Sequence, residues 1–213
     1  MQIAIAILIV FILWSVWGFF GSRVEQARYT VIKKKSGYEI RKYPAHIVAQ
    51  TTIKGSYPES MNEGFRIVAG YIFGNNLKKE SIAMTAPVTA QNTQQPSSQK
   101  IAMTAPMIAS DKGDSQIISF GMPQSQTLKT LPKPLDSRIK IVLTPEQTIA
   151  ALKFSWFRND HRIQKMQKKL LKTLTDDKIK VTGSPSYAGY NAPWTPPWMT
   201  RHEVMVAIEK PKK

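Results

Sequence analysis

Residues 38 to 53 read Tyr-Glu-Ile-Arg-Lys-Tyr-Pro-Ala-His-Ile-Val-Ala-Gln-Thr-Thr-Ile, two runs rich in β-branched and aromatic residues parted by Pro44-Ala45. Such runs form strands, and the proline, which has no amide proton to give a ladder, marks the turn between them. A helix is expected next. Ser56-Tyr57-Pro58-Glu59 has the spacing of a capping box, and Met61, Phe65, Val68 and Ile72 recur at helical intervals up to Gly74-Asn75-Asn76. The same layout returns later in the chain. Ile139 to Leu143, a turn at Thr144-Pro145-Glu146, and Ile149 to Phe157 form a second strand pair; Asn159 or Asp160 can cap a helix with the apolar stripe Ile163, Met166, Leu170 and Leu174. Pro44 and Pro145 lie 101 positions apart and Ile72 and Leu174 lie 102 apart, so two β-β-α-β units are expected. Their natural arrangement is an α+β domain with a curved antiparallel sheet whose concave side the two helices cover.

The 213 residues and 24.0 kDa suffice for one domain with a surplus, and 42% apolar residues suffice for a core. Thirty Lys and Arg against fourteen Asp and Glu give +16, so an anionic partner is expected: lipid headgroups, nucleic acid or a carboxylate-bearing ligand. The absence of cysteine excludes disulfide scaffolds, thiolate zinc sites, iron–sulfur clusters, cysteine nucleophiles and covalent c-type haem attachment.

The surplus is N-terminal. Ile3 to Phe20 is apolar but for Ser15 and Gly18, and at about 1.5 Å per helical residue it matches the ~30 Å of a bilayer core. Met1-Gln2 carries no charge and bulky Trp17, Phe19 and Phe20 stand at the exit, so an uncleaved anchor over residues 1–22 is favoured over a signal peptide. Trp14 and Trp17 suit an interfacial belt. A basic linker, residues 23–35, follows, with Arg23, Arg28 and Lys33 to Lys35. Positive charge on this flank would hold the soluble part in the cytoplasm, whereas a signal-anchor would export it. On the second helix, Arg162, Lys165, Lys169 and Lys172 oppose the apolar stripe; they suit anionic membrane lipids, or simply solvent.

A hexapeptide occurs twice, Ile82 to Pro87 and Ile101 to Pro106, both Ile-Ala-Met-Thr-Ala-Pro, flanking a polar loop at residues 91 to 100. Strands facing across that hairpin would set Met84 and Met103 in related positions. With Tyr38 to Tyr43, Phe120-Gly121-Met122-Pro123, Pro132-Lys133-Pro134, Gly189 to Pro193 and Arg201-His202-Glu203-Val204, in this order, the chain resembles the SOUL haem-binding proteins over residues 36 to 209. A bacterial, membrane-anchored member with a SOUL-type domain over residues 36–213 is the expectation.

The resemblance implies a distorted, eight-stranded, barrel-like sheet with two helices in pseudo-twofold repeats. It also implies non-covalent haem or tetrapyrrole binding against the first helix and a late loop. Met61, Phe65, Val68, Ala69 and Ile72 would then line the pocket and Trp194 to Trp198 would form its wall, although those helix residues equally suit a core. Some members place a histidine, proposed to ligate iron, where this chain has Lys42. A lysine must first lose its proton to do so. His46 is the remaining candidate axial ligand, and Met84 and Met103 are chemically able; His202, where the family usually has Asn, and His161 are expected to be structural and solvent-exposed respectively.

No nucleophile elbow, P-loop, dinucleotide fingerprint or His-Glu-x-x-His helix is present, so no enzymatic activity is expected. Three readings stay open: a membrane-tethered haem or porphyrin binder for sequestration, buffering or delivery; a carrier or sensor of another amphipathic molecule; and a membrane-surface interaction module. Nucleic acid is not expected as a partner, since no recognition helix or RNA-binding signature accompanies the charge.

Overall fold

A computed structural model describes residues 2–5, 9, 11, 13–15, 25–55, 57–78, 82, 85–92, 115–191 and 195–211. Among these residues ten strands form one sheet. They are β1 (Glu25–Gln26), β2 (Thr30–Lys35), β3 (Tyr38–Tyr43), β4 (His46–Lys54), β5 (Thr85–Asn92), β6 (Ser115–Gly121), β7 (Lys140–Thr144), β8 (Gln147–Phe154), β9 (Ser186–Gly189) and β10 (His202–Ala207). Two helices, α1 (Tyr57–Ile72) and α2 (Asp160–Asp176), follow β4 and β8.

The duplication is real, and each unit is β-β-α-β-β rather than β-β-α-β. The sheet order β2-β3-β8-β10-β9-β5-β6-β4-β7 is symmetric once β2 is set aside. In each unit the second strand pairs the last, and the last pairs the strand after the helix. The antiparallel pair β5 and β9 joins the two units.

The strands flanking each proline do not form a hairpin, which corrects the reading of Pro44 and Pro145 as turns. β3 pairs β8 and β4 pairs β7, in one continuous register that runs from Tyr43↔Gln147 to His46↔Thr144. Pro44-Ala45 therefore lies across from Pro145-Glu146. With no amide proton at either proline, the ladder is interrupted there, and each long strand kinks and enters two different parts of the sheet. The sheet is curved but not a closed barrel, because β2 and β7 remain as edges. Edge strand β2, within the stretch read as a basic linker, is exposed along its whole length and carries Lys33 to Lys35, charges that discourage further pairing. Lys35 reaches Asp177 at 3.4 Å.

The helices lie where the periodicity places them. In α1 Val68, Tyr71 and Ile72 are fully buried, and Gly64 sits so close to β6 that a Cβ would fall 2.7 Å from the Ile118 side chain. The helix ends in a Schellman motif: the Gly74 amide donates to the Tyr71 carbonyl and the Asn75 amide to that of Gly70, with Gly74 at φ +112°. Tyr71 donates from its hydroxyl to the Pro132 carbonyl at 2.9 Å, so the Pro132-Lys133-Pro134 motif docks this helix end. Asn159 caps α2 by accepting from the Arg162 amide, and Ile163, Leu170 and Leu174 are its buried stripe. Ser56, and with it the capping box, lies outside the described residues, as do Met84 and the second hexapeptide. β5, which begins within the first copy, pairs β6 and β9 and shifts register between Thr85 and Val88, around Pro87.

Among the described residues no helix is long and apolar enough to cross a membrane. The described N-terminal residues are helical and touch the domain, Phe11 stacking on Trp198 with ring centroids 4.4 Å apart and Trp14 meeting the same ring edge-on at 5.3 Å.

Candidate functional site

The family motifs at the two ends of the domain meet in space. β3 and β10 both neighbour β8, and this brings Arg41 against Glu203, each almost wholly buried. Arg41 donates to both Glu203 oxygens, at 2.6 and 3.0 Å. Arg201 donates to Oε1 at 2.7 Å and Tyr190 to Oε2 at 2.7 Å. Burial pushes the Glu203 carboxyl upwards, but the Arg41 and Tyr190 hydrogen bonds and the two guanidinium charges overcome this and hold it below the usual carboxylate range. Arg41 also lies over the Tyr29 ring and Arg201 over Tyr190. These motifs are a structural clamp on the sheet, a role the sequence reading did not assign to them.

A cleft of about 470 Å³ opens beside that clamp, between α1 and the segments after β8 and β9. Met61 and Phe65 line it from α1, and Trp156, Phe157, Arg158 and Thr195 line it from the loops. Phe65, Trp156 and Phe157 are 38%, 51% and 69% exposed, an aromatic surface that packing inside the domain does not cover. Trp156 is held at φ +77°, a left-handed conformation costly for a bulky residue. Its backbone is clamped at both ends: its amide donates to the Pro197 carbonyl at 3.0 Å and its carbonyl accepts from His202 Nε2 at 3.0 Å.

His202 is therefore a wall and not a ligand. A carbonyl can only accept, so Nε2 carries the proton, and Nδ1 accepts from the Tyr187 hydroxyl at 2.8 Å. Burial, aided by the Arg158 and Arg162 charges, lowers its pKa and keeps the ring neutral. Both nitrogens are engaged. Thr195, by contrast, is buried in the cleft wall with its hydroxyl unpartnered among the described residues.

Of the residues expected to line a pocket, Met61 and Phe65 do. Val68, Ala69 and Ile72 do not: they are 0%, 7% and 0% exposed, turned into the core one and two turns further along α1. The helical stripe is wider than the cleft, and only its N-terminal part emerges from under the sheet. Trp198 lies in a single 3-10 turn, Pro197–Met199, beside the cleft and beneath Phe11 and Trp14. Trp194 lies outside the described residues. Lys42 is far along β3, its ammonium 3.0 Å from Glu146. His46 lines a different, larger cleft at the strand kink, and its Nδ1 donates to the Pro44 carbonyl at 3.0 Å. Thr195 and Pro197, within the stretch expected to form the wall, do line the cleft; Trp156, Phe157 and Arg158 were missed, and their run at the end of an otherwise regular strand was the available signal.

The model of the SOUL heme-binding protein family matches residues 24–207, nearly the whole domain. The chain belongs to the SOUL family. Among curated proteins it is similar to human Heme-binding protein 2, 32% identical over 159 residues, covering 73% of this chain and 71% of that one. Non-covalent haem or a related tetrapyrrole is the cofactor this membership brings. The SOUL fold also superposes on the C-terminal domain of EcmrR (TM-score 0.57, 13% identity, 85% of this chain and 98% of that one) and on a hydrolase from Listeria innocua (TM-score 0.55, 11% identity, 84% and 94%). At those identities the likeness is one of fold alone.

Proposed function

We propose that this SOUL protein holds haem in the aromatic cleft, at a membrane surface, to sequester, buffer or deliver it, and that it catalyses no reaction. The observation that carries the reading is the coincidence of exposed Phe65, Trp156 and Phe157 with Arg158 and the orphan Thr195 hydroxyl in one cleft. A porphyrin needs a wide apolar slot for its ring and cations or donors for its propionates, and these residues offer both. When bound, the haem supplies a redox-active iron. The chain's own contribution is to exclude water from the ring with the three aromatics and to orient the carboxylates with Arg158. No imidazole is free in this cleft, so a bound haem would find no histidine here, and the Met61 thioether would be the soft donor of the lining.

The membrane part of the proposal draws on the apolar stretch Ile3 to Phe20 and on the basic face of α2, where Lys165, Lys168, Lys169 and Lys172 are exposed. Arg162 has left that face for the Phe154 ring, 5.9 Å away.

The test is a spectroscopic haem titration of the full chain beside Phe65→Asp and Ile72→Asp. The parent should show a saturable one-to-one Soret shift. Phe65→Asp should lose it with its circular dichroism intact, while Ile72→Asp should unfold. Undiminished binding by folded Phe65→Asp would place haem elsewhere. The missing imidazole also favours a second reading, a carrier of another amphipathic molecule; saturable binding of a hydrophobic dye, lost in Phe65→Asp, with no Soret shift would select it.

A further inference from the structure

We propose that the chain carries a second ligand site, for a free long-chain carboxylate, in the cleft at the strand kink. This cleft measures about 850 Å³, within the range of small-molecule sites, and shares no lining residue with the aromatic cleft. Its formation follows from the fold. The kink at Pro44, the start of β4, Leu143 of β7, the loop after β6 and the segment that follows β1 together line it.

The lining divides into two parts. Ile47 and Met122 form an apolar floor, tied together by the Met122 amide donating to the Ile47 carbonyl at 2.9 Å, and Leu128 and Leu143 stand at the rim 54% and 55% exposed. Arg28 and Lys129 supply positive charge, and among the described residues no Asp or Glu lines the cleft. Neither cation has a carboxylate partner among the described residues. Glu146, which shares an adjoining recess with Arg28, is already engaged by Lys42. Two unpaired cations beside four aliphatic side chains match a ligand with one anionic head and one apolar tail, and do not match a neutral or cationic one.

The loop that presents Leu128 and Lys129 is also stiffened in advance. The Thr127 amide donates to Thr130 Oγ1 at 2.8 Å, that hydroxyl lies 2.8 Å from Gln126 Oε1, and the Leu131 amide donates to the Thr127 carbonyl at 3.0 Å. A rim ordered before the ligand arrives lowers the entropy that binding must spend.

The experiment titrates the full chain with cis-parinaric acid, read by its fluorescence, with oleate as competitor. Expected are saturable one-to-one binding, displacement by oleate, and at least tenfold weaker binding in Arg28→Glu/Lys129→Glu and in Leu128→Asp, which changes only an exposed loop side chain. The haem titration of these variants should match the parent. Parent-like parinarate affinity in both variants overturns the site, as does parinarate binding lost in Phe65→Asp, which moves it to the aromatic cleft. Two further outcomes also overturn it: a signal only with phosphatidylglycerol vesicles, which makes the surface a bilayer contact, and a Soret maximum moved by His46→Ala, which gives the cleft to haem. A failure of haem binding alone leaves the parinarate result standing.

Discussion

Glu203 has three hydrogen-bond donors around a carboxylate with no exposure, two of them guanidinium groups. Replacing it with Gln leaves buried Arg41 with Glu39, 2.9 Å from its Nε, as its remaining carboxylate, and loss of one member of such a buried pair costs up to about 3–5 kcal/mol. Urea unfolding of Glu203→Gln should show that loss, and a midpoint within error of the parent would contradict the clamp. The pH dependence has two limbs, with the sign set by which state holds more protons. His202 is kept neutral in the fold, so the unfolded chain binds the extra proton and stability falls as pH drops below about 6.5. Glu203 is kept ionised, so its contribution is complete above about pH 4.3 and is lost as pH falls through its depressed folded value. His202→Gln should flatten the upper limb and leave the lower one; thermal melts from pH 7.5 to 4 that retain the upper limb in that variant would show that another group titrates. Of this, only the structural role of His202 was legible beforehand. His202 was expected to be structural, but its two partners, Trp156 and Tyr187, lie 46 and 15 residues away, joined by sheet register that no local pattern encodes.

At the scale of elements, the periodicities were a sound guide to identity and a poor one to pairing. Both helices and the strands around Pro44 and Pro145 stand where apolar spacing and turn residues put them, because those signals are local. Strand partnership is not local: the proline that reads as a hairpin turn in sequence acts as a kink in a longer ladder, and only the register from Tyr43↔Gln147 to His46↔Thr144 reveals it. The cleft was half legible for the same reason. One stripe on α1 holds both Phe65, at the cleft, and Ile72, in the core, and helical spacing cannot tell where the sheet stops covering it. The packing of α1 on β6 allows a paired test. At Gly64 a new Cβ meets fully buried Ile118 at 2.7 Å, so Gly64→Ala should destabilise by about 1–3 kcal/mol despite better helix propensity. At Gly70 the nearest neighbour is Asn75 Cβ at 4.0 Å, so Gly70→Ala should stabilise by up to about 1 kcal/mol. Denaturant midpoints moving in the same direction for both would mean that α1 does not approach the sheet at Gly64.

Across the whole molecule the question is what the apolar N-terminus does for a basic domain. Phe11 and Trp14 lie against Trp198 beside the aromatic cleft, while Ile3, Ile5, Ile9 and Leu13 are 78%, 51%, 51% and 63% exposed. A helix with aromatic contacts on one side and uncovered aliphatics on the other is unfavourable in water at about 25 cal/mol per Å² of apolar surface, and a bilayer removes that cost. In the proposed membrane role the exposed lysines of α2 would add attraction to anionic headgroups that salt screens over about 10 Å at 0.1 M, whereas insertion of an apolar segment would not be screened. The two contributions therefore separate by salt. Full-length protein should sediment with phosphatidylglycerol vesicles in both 0.05 and about 0.5 M salt, and residues 23–213 only in the former. In the shortened chain Trp198 loses its two aromatic neighbours, so its fluorescence should shift to the red and haem should associate faster through the uncovered rim. Release of the full chain by salt would remove the anchoring role and leave the N-terminal segment as a cover for the cleft alone. Retention of residues 23–213 at high salt would instead assign membrane attachment to the exposed aromatics Trp156 and Phe157, and the cleft rim itself would then face the lipid.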